Sequence, residues 1–135
     1  MKKLINPMLV LLILLDLGYV AIIFPYTNFW FKTMHGISHD DPVGLLHRLG
    51  GVWGAFALFQ IIALIRWKKA PHWLMLVAGI RLTEVFSDWL YLYYAHNITG
   101  FGRLCLLLAP LVNALTGWFF FRAYLNVTST SRADQ

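Results

Sequence analysis

Arg81, Glu84 and Asp88 stand three and then four residues apart within residues 73–95, a stretch long and apolar enough to span a bilayer. That spacing puts a guanidinium and two carboxyls on one helical stripe, while Leu82, Val85, Phe86, Trp89 and Leu90 cover much of the remaining surface. An ionised side chain at bilayer depth costs roughly 2.5 to 3.5 kcal/mol even on a lenient insertion scale, so the stripe is expected to face protein or a water-filled cavity. The chemistry open to it is acid-base chemistry. Glu84 with Asp16 or Asp88 would bind or exchange a proton, and Arg48 and Arg81 would hold or orient polar groups, with His47 and Asn113 beside them.

Depth decides which of these groups can meet. At 1.5 Å per residue, Asp16 lies about 18 Å and Glu84 about 16 Å from the cytoplasmic ends of their helices, one level near the midplane. Asp88 is about 10 Å and Arg48 about 7 Å below the outer surface, depths at which the two could pair. Arg81 is expected to pair with Glu84 on its own helix, and Gln60 and Asn113 add neutral polar groups. Asp16, Glu84 and Asp88 against Arg48 and Arg81 leave one negative charge over, which a protonated His47 or a neutral carboxylic acid would balance.

A second cluster, His35, His39, Asp40 and Asp41 with His47 and His96 on the same side, has metal-ligand residue types. Gly36 and Ser38 work against the helix that would bring His35 and His39 to one face, and no tight motif such as HExxH is present. The expectation is a helix cap and a solvated loop, with no metal and no cofactor assigned. There is no Ser/His/Asp elbow, phosphate loop or CxxC, and Cys105 is alone in an apolar run.

The elements that position these groups follow from composition. In 135 residues, 59% are hydrophobic and 13% charged, with a mean hydropathy of +0.64, the profile of a membrane protein. Four spans are expected, at about 4–24, 43–65, 73–95 and 104–124, making residues 1–126 one domain with a disordered cytoplasmic tail at 127–135. Residues 4–24 follow a basic start but run too long, with Asp16 in the middle and no small-x-small site, to be a cleaved leader. Pro25 is read as the end of the first span, and Asp40 or Asp41 with Pro42 as the start of the second.

Lys2, Lys3, Arg66, Lys68, Lys69, Arg122 and Arg132 fall on one side against Lys32 and Arg103 on the other, which places both termini in the cytoplasm. A Met-Lys-Lys start and compact size suit a bacterial inner membrane. The net charge of +5 belongs to these span ends and to lipid headgroups, not to a nucleic-acid face. Gly50 and Gly54 have the small-xxx-small spacing of close helix contacts, within the bundle or in a homodimer or larger membrane complex.

The fold expected is therefore an all-α, integral membrane, antiparallel four-helix bundle. Its expected function is to bind an apolar or amphiphilic small molecule such as a lipid, quinone or terpenoid. If it is an enzyme, isomerisation, cyclisation or epoxide opening is what its residues could perform. The competing expectation is a non-catalytic accessory or assembly subunit of a larger membrane complex. In architecture the chain is similar to several groups of small four-span proteins, among them the DoxX-like proteins and the sterol-isomerase-like bundles that use intramembrane acids on apolar substrates; that likeness covers no motif and assigns no residue.

Overall fold

A computed structural model describes residues 1–39 and 44–133 and shows four α-helices and, among those residues, no strand. They are α1 (Lys2–His35), α2 (Leu45–Arg66), α3 (His72–Tyr94) and α4 (Gly100–Ala133). Short connections oblige successive helices to run antiparallel. Contacts are most extensive between α1 and α2 and between α3 and α4, and the two pairs meet through α2–α3 and α1–α4. Three helices, α1, α2 and α4, are long and apolar enough to cross a membrane. The fourth, α3, has the length but carries the charged stripe.

One end of the bundle is filled by a single apolar cluster. Ile5, Leu9 and Leu12 of α1 recur at helical spacing and meet Ala63 and Trp67, Leu74, Val77 and Ala78 of α3, and Phe120 and Ala123 of α4. Trp67 satisfies its indole N–H on Asn6 Oδ1 at 2.8 Å, which ties the α2–α3 turn to the start of α1. Lipid is as apolar as these side chains, so close packing rather than escape from water holds this layer together. Outward-facing Leu, Phe, Trp and Tyr side chains remain exposed on all four helices.

Two boundaries differ from expectation for identifiable reasons. Pro25 does not end α1 but kinks it: Tyr26 has non-helical torsions (φ −130°, ψ 39°), and the helix resumes to His35. The Thr27 hydroxyl donates to the Ile23 carbonyl at 2.5 Å across the kink. At the other end, α4 runs past the expected limit at residue 124, and the segment expected to be disordered is helical as far as Ala133. Val127 packs against the apolar cluster, Asn126 Nδ2 donates to the Met1 sulfur at 3.0 Å, and the Thr128 hydroxyl donates to the Tyr124 carbonyl at 2.9 Å. The cap expected at Asp40, Asp41 and Pro42 lies outside the described residues.

The glycine pair on α2 serves the α1–α2 contact. A Cβ on Gly50 would stand 3.0 Å from Ile23 Cγ2 and from Phe24 Cε2, and one on Gly54 3.9 Å from Val20 Cγ2. That face of α2 is covered by α1.

Candidate functional site

Above the apolar cluster the same helical stripes turn polar. Asp16 follows Leu9 and Leu12 by seven and four residues, Arg81 follows Val77 by four, and Gln60 precedes Ala63 by three. Each therefore points where its apolar neighbour on the same stripe points, into the bundle. Asp16 is 1%, Gln60 0% and Arg81 4% exposed. Burial of three such groups is offset by the hydrogen bonds and ion pair they make with one another, which leave two of their atoms unmatched.

Arg81 bridges two carboxyls on two helices. Its Nη2 donates to Asp16 Oδ2 at 2.5 Å and its Nη1 to Glu84 Oε2 at 2.9 Å. Gln60 Nε2 donates to the same Asp16 oxygen at 2.7 Å, and the Trp53 indole N–H points to Glu84 Oε1 at 3.4 Å. One turn further along α3, Asp88 Oδ2 accepts from Asn113 Nδ2 of α4 at 3.3 Å. All four helices thus contribute to one polar layer. Two buried atoms, Gln60 Oε1 and Arg81 Nε, have no hydrogen-bond partner in it.

The layer is tight at one end and looser at the other. Asp16, Gln60 and Arg81 are sealed, whereas the Glu84 side chain is 18% exposed and Asp88 is half-buried. Tyr19, one turn beyond Asp16, stacks on Trp53 with ring centroids 4.8 Å apart and meets the edge of Trp30 at 5.3 Å. Tyr19 and Trp30 are eleven residues apart, about 16 Å along a straight helix, so only the kink at Tyr26 can bring their rings together.

Beyond the kink, α1 closes this end of the bundle. Thr99 N–H donates to the Met34 carbonyl at 2.8 Å, the Thr99 hydroxyl donates to the Thr33 carbonyl at 2.7 Å, and His35 hydrogen-bonds the Tyr91 hydroxyl. A Cβ on Gly102 would lie 2.5 Å from the Met34 carbonyl oxygen, so the α4 backbone approaches α1 at a distance only glycine permits.

Of the residues expected at the site, Asp16, Arg81 and Glu84 are brought into direct contact, and Asp88 and Asn113 pair beside them. Arg48 does not join. It is exposed, and the partner of Asp88 is Asn113 rather than Arg48. Arg48 stands two residues before Gly50, which faces α1, so it projects about 200° away around the helix. Depth alone had placed it level with Asp88; its azimuth carries it outward. His47 is also elsewhere, half-buried with Nε2 3.4 Å from the Thr27 hydroxyl and its ring edge-on to Phe24 at 5.8 Å.

Trp53 and Tyr19 belong to the layer and were not singled out from the sequence. The signal was periodicity: Trp53 precedes Gln60 by seven residues, which returns it to the same face of α2 within about 20°. Tyr19 follows Asp16 by three. Among the described residues, no group of three or more His, Cys, Asp or Glu side chains is arranged to hold a metal ion. His35 and His39 both lie on the Phe31 ring, at 4.5 and 4.6 Å, and His96 is exposed; Asp40 and Asp41 lie outside the described residues. Comparison with known protein families, with curated proteins and with solved structures returned no match.

Proposed function

We propose that this chain is a bacterial inner-membrane protein, both termini cytoplasmic, that binds an apolar or amphiphilic small molecule such as a lipid, quinone or terpenoid in its polar layer. The observation that carries this reading is the gradient along the layer. A sealed network of Asp16, Gln60 and Arg81 continues into the less buried Glu84, which the Trp53 indole reaches, and half-buried Asp88. Buried ion pairs are poor value for stability compared with apolar packing, and ionisable groups within a membrane commonly mark sites.

In this reading Arg81 fixes the orientation of Asp16 and Glu84, while Glu84 and Asp88 meet the ligand and can take or give a proton. Asn113 holds Asp88 in place. Should the ligand be transformed as well as bound, those two carboxyls supply the acid and base for isomerisation, cyclisation or epoxide opening.

Native mass spectrometry of the nanodisc-extracted protein tests the reading, followed by release of any bound molecule. A defined amphiphile retained by the parent chain and lost in Glu84→Gln and Asp88→Asn is expected. Retention unchanged in both folded variants overturns the proposal. The alternative, an accessory subunit, draws support from the outward face of α3, where Leu82, Phe86, Trp89 and Tyr93 border an apolar groove of about 530 Å³. A stoichiometric partner chain on an otherwise empty protein would favour it.

A further inference from the structure

Among the described residues, the polar layer holds three carboxyls, Asp16, Glu84 and Asp88, and one guanidinium, Arg81, so with all four ionised it has two negative charges more than its cation neutralises. Arg48 would have reduced that difference but is exposed, and His47 lies against Thr27 and Phe24. The layer also contains a buried acceptor without a donor. Gln60, 0% exposed, gives its Nε2 hydrogen to Asp16 and leaves Oε1 unmatched. Aromatic rings lie beside the carboxyls: Trp53 reaches Glu84 through its indole N–H and stacks on Tyr19, one turn beyond Asp16 on α1.

Excess carboxylate and aromatic faces at the less sealed end of the layer are complementary to one kind of group, a cation bearing N–H or alkyl substituents, while the unmatched Gln60 oxygen lies on the sealed side and takes no part. An anion would meet repulsion from Glu84 and Asp88 before it reached the unmatched Arg81 Nε–H, which is held on the sealed side of the layer. We propose that the molecule bound in the polar layer is a lipophilic cation, an amine or quaternary ammonium with an apolar tail. Its head lies at Glu84 and Asp88 beside Tyr19 and Trp53, and its tail runs along the apolar helix surface into the bilayer. This deepens the ligand-binding reading above and rests on it.

Three amphiphiles with the same ten-carbon chain separate the ideas: decyltrimethylammonium, decanol and decanoate. Each is titrated into the full chain in nanodiscs, with empty nanodiscs as reference, and bound molecules are counted by native mass spectrometry. The expected result is one saturable decyltrimethylammonium per chain, binding at least about tenfold more tightly than decanol or decanoate and weakened at least about tenfold by Glu84→Gln and by Asp88→Asn. Asp88→Asn guards against misfolding of the Glu84 variant, since Asp88 is half-buried and outside the Arg81 ion pairs. If decanol or decanoate binds as tightly and depends on Glu84 and Asp88, the cationic ligand class is overturned while the binding site stands. If no amphiphile binds saturably, or none responds to either substitution, both fall.

Discussion

Arg81 is the residue on which the buried charges depend. It is 4% exposed and its two terminal nitrogens serve Asp16 and Glu84 separately, so its loss strands a carboxylate on each of two helices. Arg81→Met is expected to cost about 3 to 5 kcal/mol, read from detergent-induced unfolding in mixed micelles. Adding Asp16→Leu and Glu84→Met, which removes the stranded groups, should restore most of that loss. If the triple variant is no more stable than Arg81→Met, the ion pairs are not what the single substitution disturbs. Trp53 separates two roles of an indole. Trp53→Phe keeps a ring against Tyr19 and removes the N–H aimed at Glu84, so unfolding should shift by only about 1 kcal/mol. Cation affinity should largely survive in Trp53→Phe and fall clearly in Trp53→Ala, where the aromatic face is gone as well.

At the scale of elements, α1 does two jobs separated by its kink. Its first part packs along α2 and supplies Asp16, and its last turns close the far end of the bundle by docking on Thr99 and Gly102. Gly102→Val should break that docking, because a Cβ there collides with the Met34 carbonyl, whereas a Cβ on Gly100 meets nothing within 4 Å. Hydrogen–deuterium exchange over residues 27–35 should therefore rise in Gly102→Val and stay unchanged in Gly100→Ala. The four helices themselves were legible, since long apolar runs leave few alternatives. The i, i+3 pair of Arg81 and Glu84 was equally plain, and the shared depth of Asp16 and Glu84 followed from rise per residue. The rest needed tertiary information. Pro25 can end a helix or bend it, and the choice here is made by Thr99 and Gly102, more than sixty-five residues downstream of the kink. Arg48 failed for a related reason: its depth was readable, but its face depends on which side of α2 the Gly50 contact takes.

The whole molecule has a marked polarity. Lys2, Lys3, Arg66, Lys68, Lys69 and Arg122 gather at the end that holds the apolar cluster, and the aromatic and carboxylate end lies opposite. In a Cys105→Ser background, a membrane-impermeant thiol reagent should label Ile37→Cys from outside intact cells and Thr128→Cys only after lysis; the reverse pattern would invert the topology. The face with Gly50 and Gly54 is covered by α1, so self-association or a larger assembly has to use another surface, of which the outward side of α3 is the most aromatic.

The pairing of Asp16 with Arg81 also governs how the chain is born. Sixty-five residues separate the two, so at about 5 to 20 residues per second the ribosome needs roughly 3 to 13 seconds after making the acid before its base emerges. During that interval the nascent first helix carries an acid whose earlier-made partner is the neutral amide of Gln60, against a burden of roughly 2.5 to 3.5 kcal/mol for an ionised side chain at bilayer depth. Integration should therefore be late. The first helix is expected to stay at the insertion machinery until the third arrives, so that the two enter the lipid together.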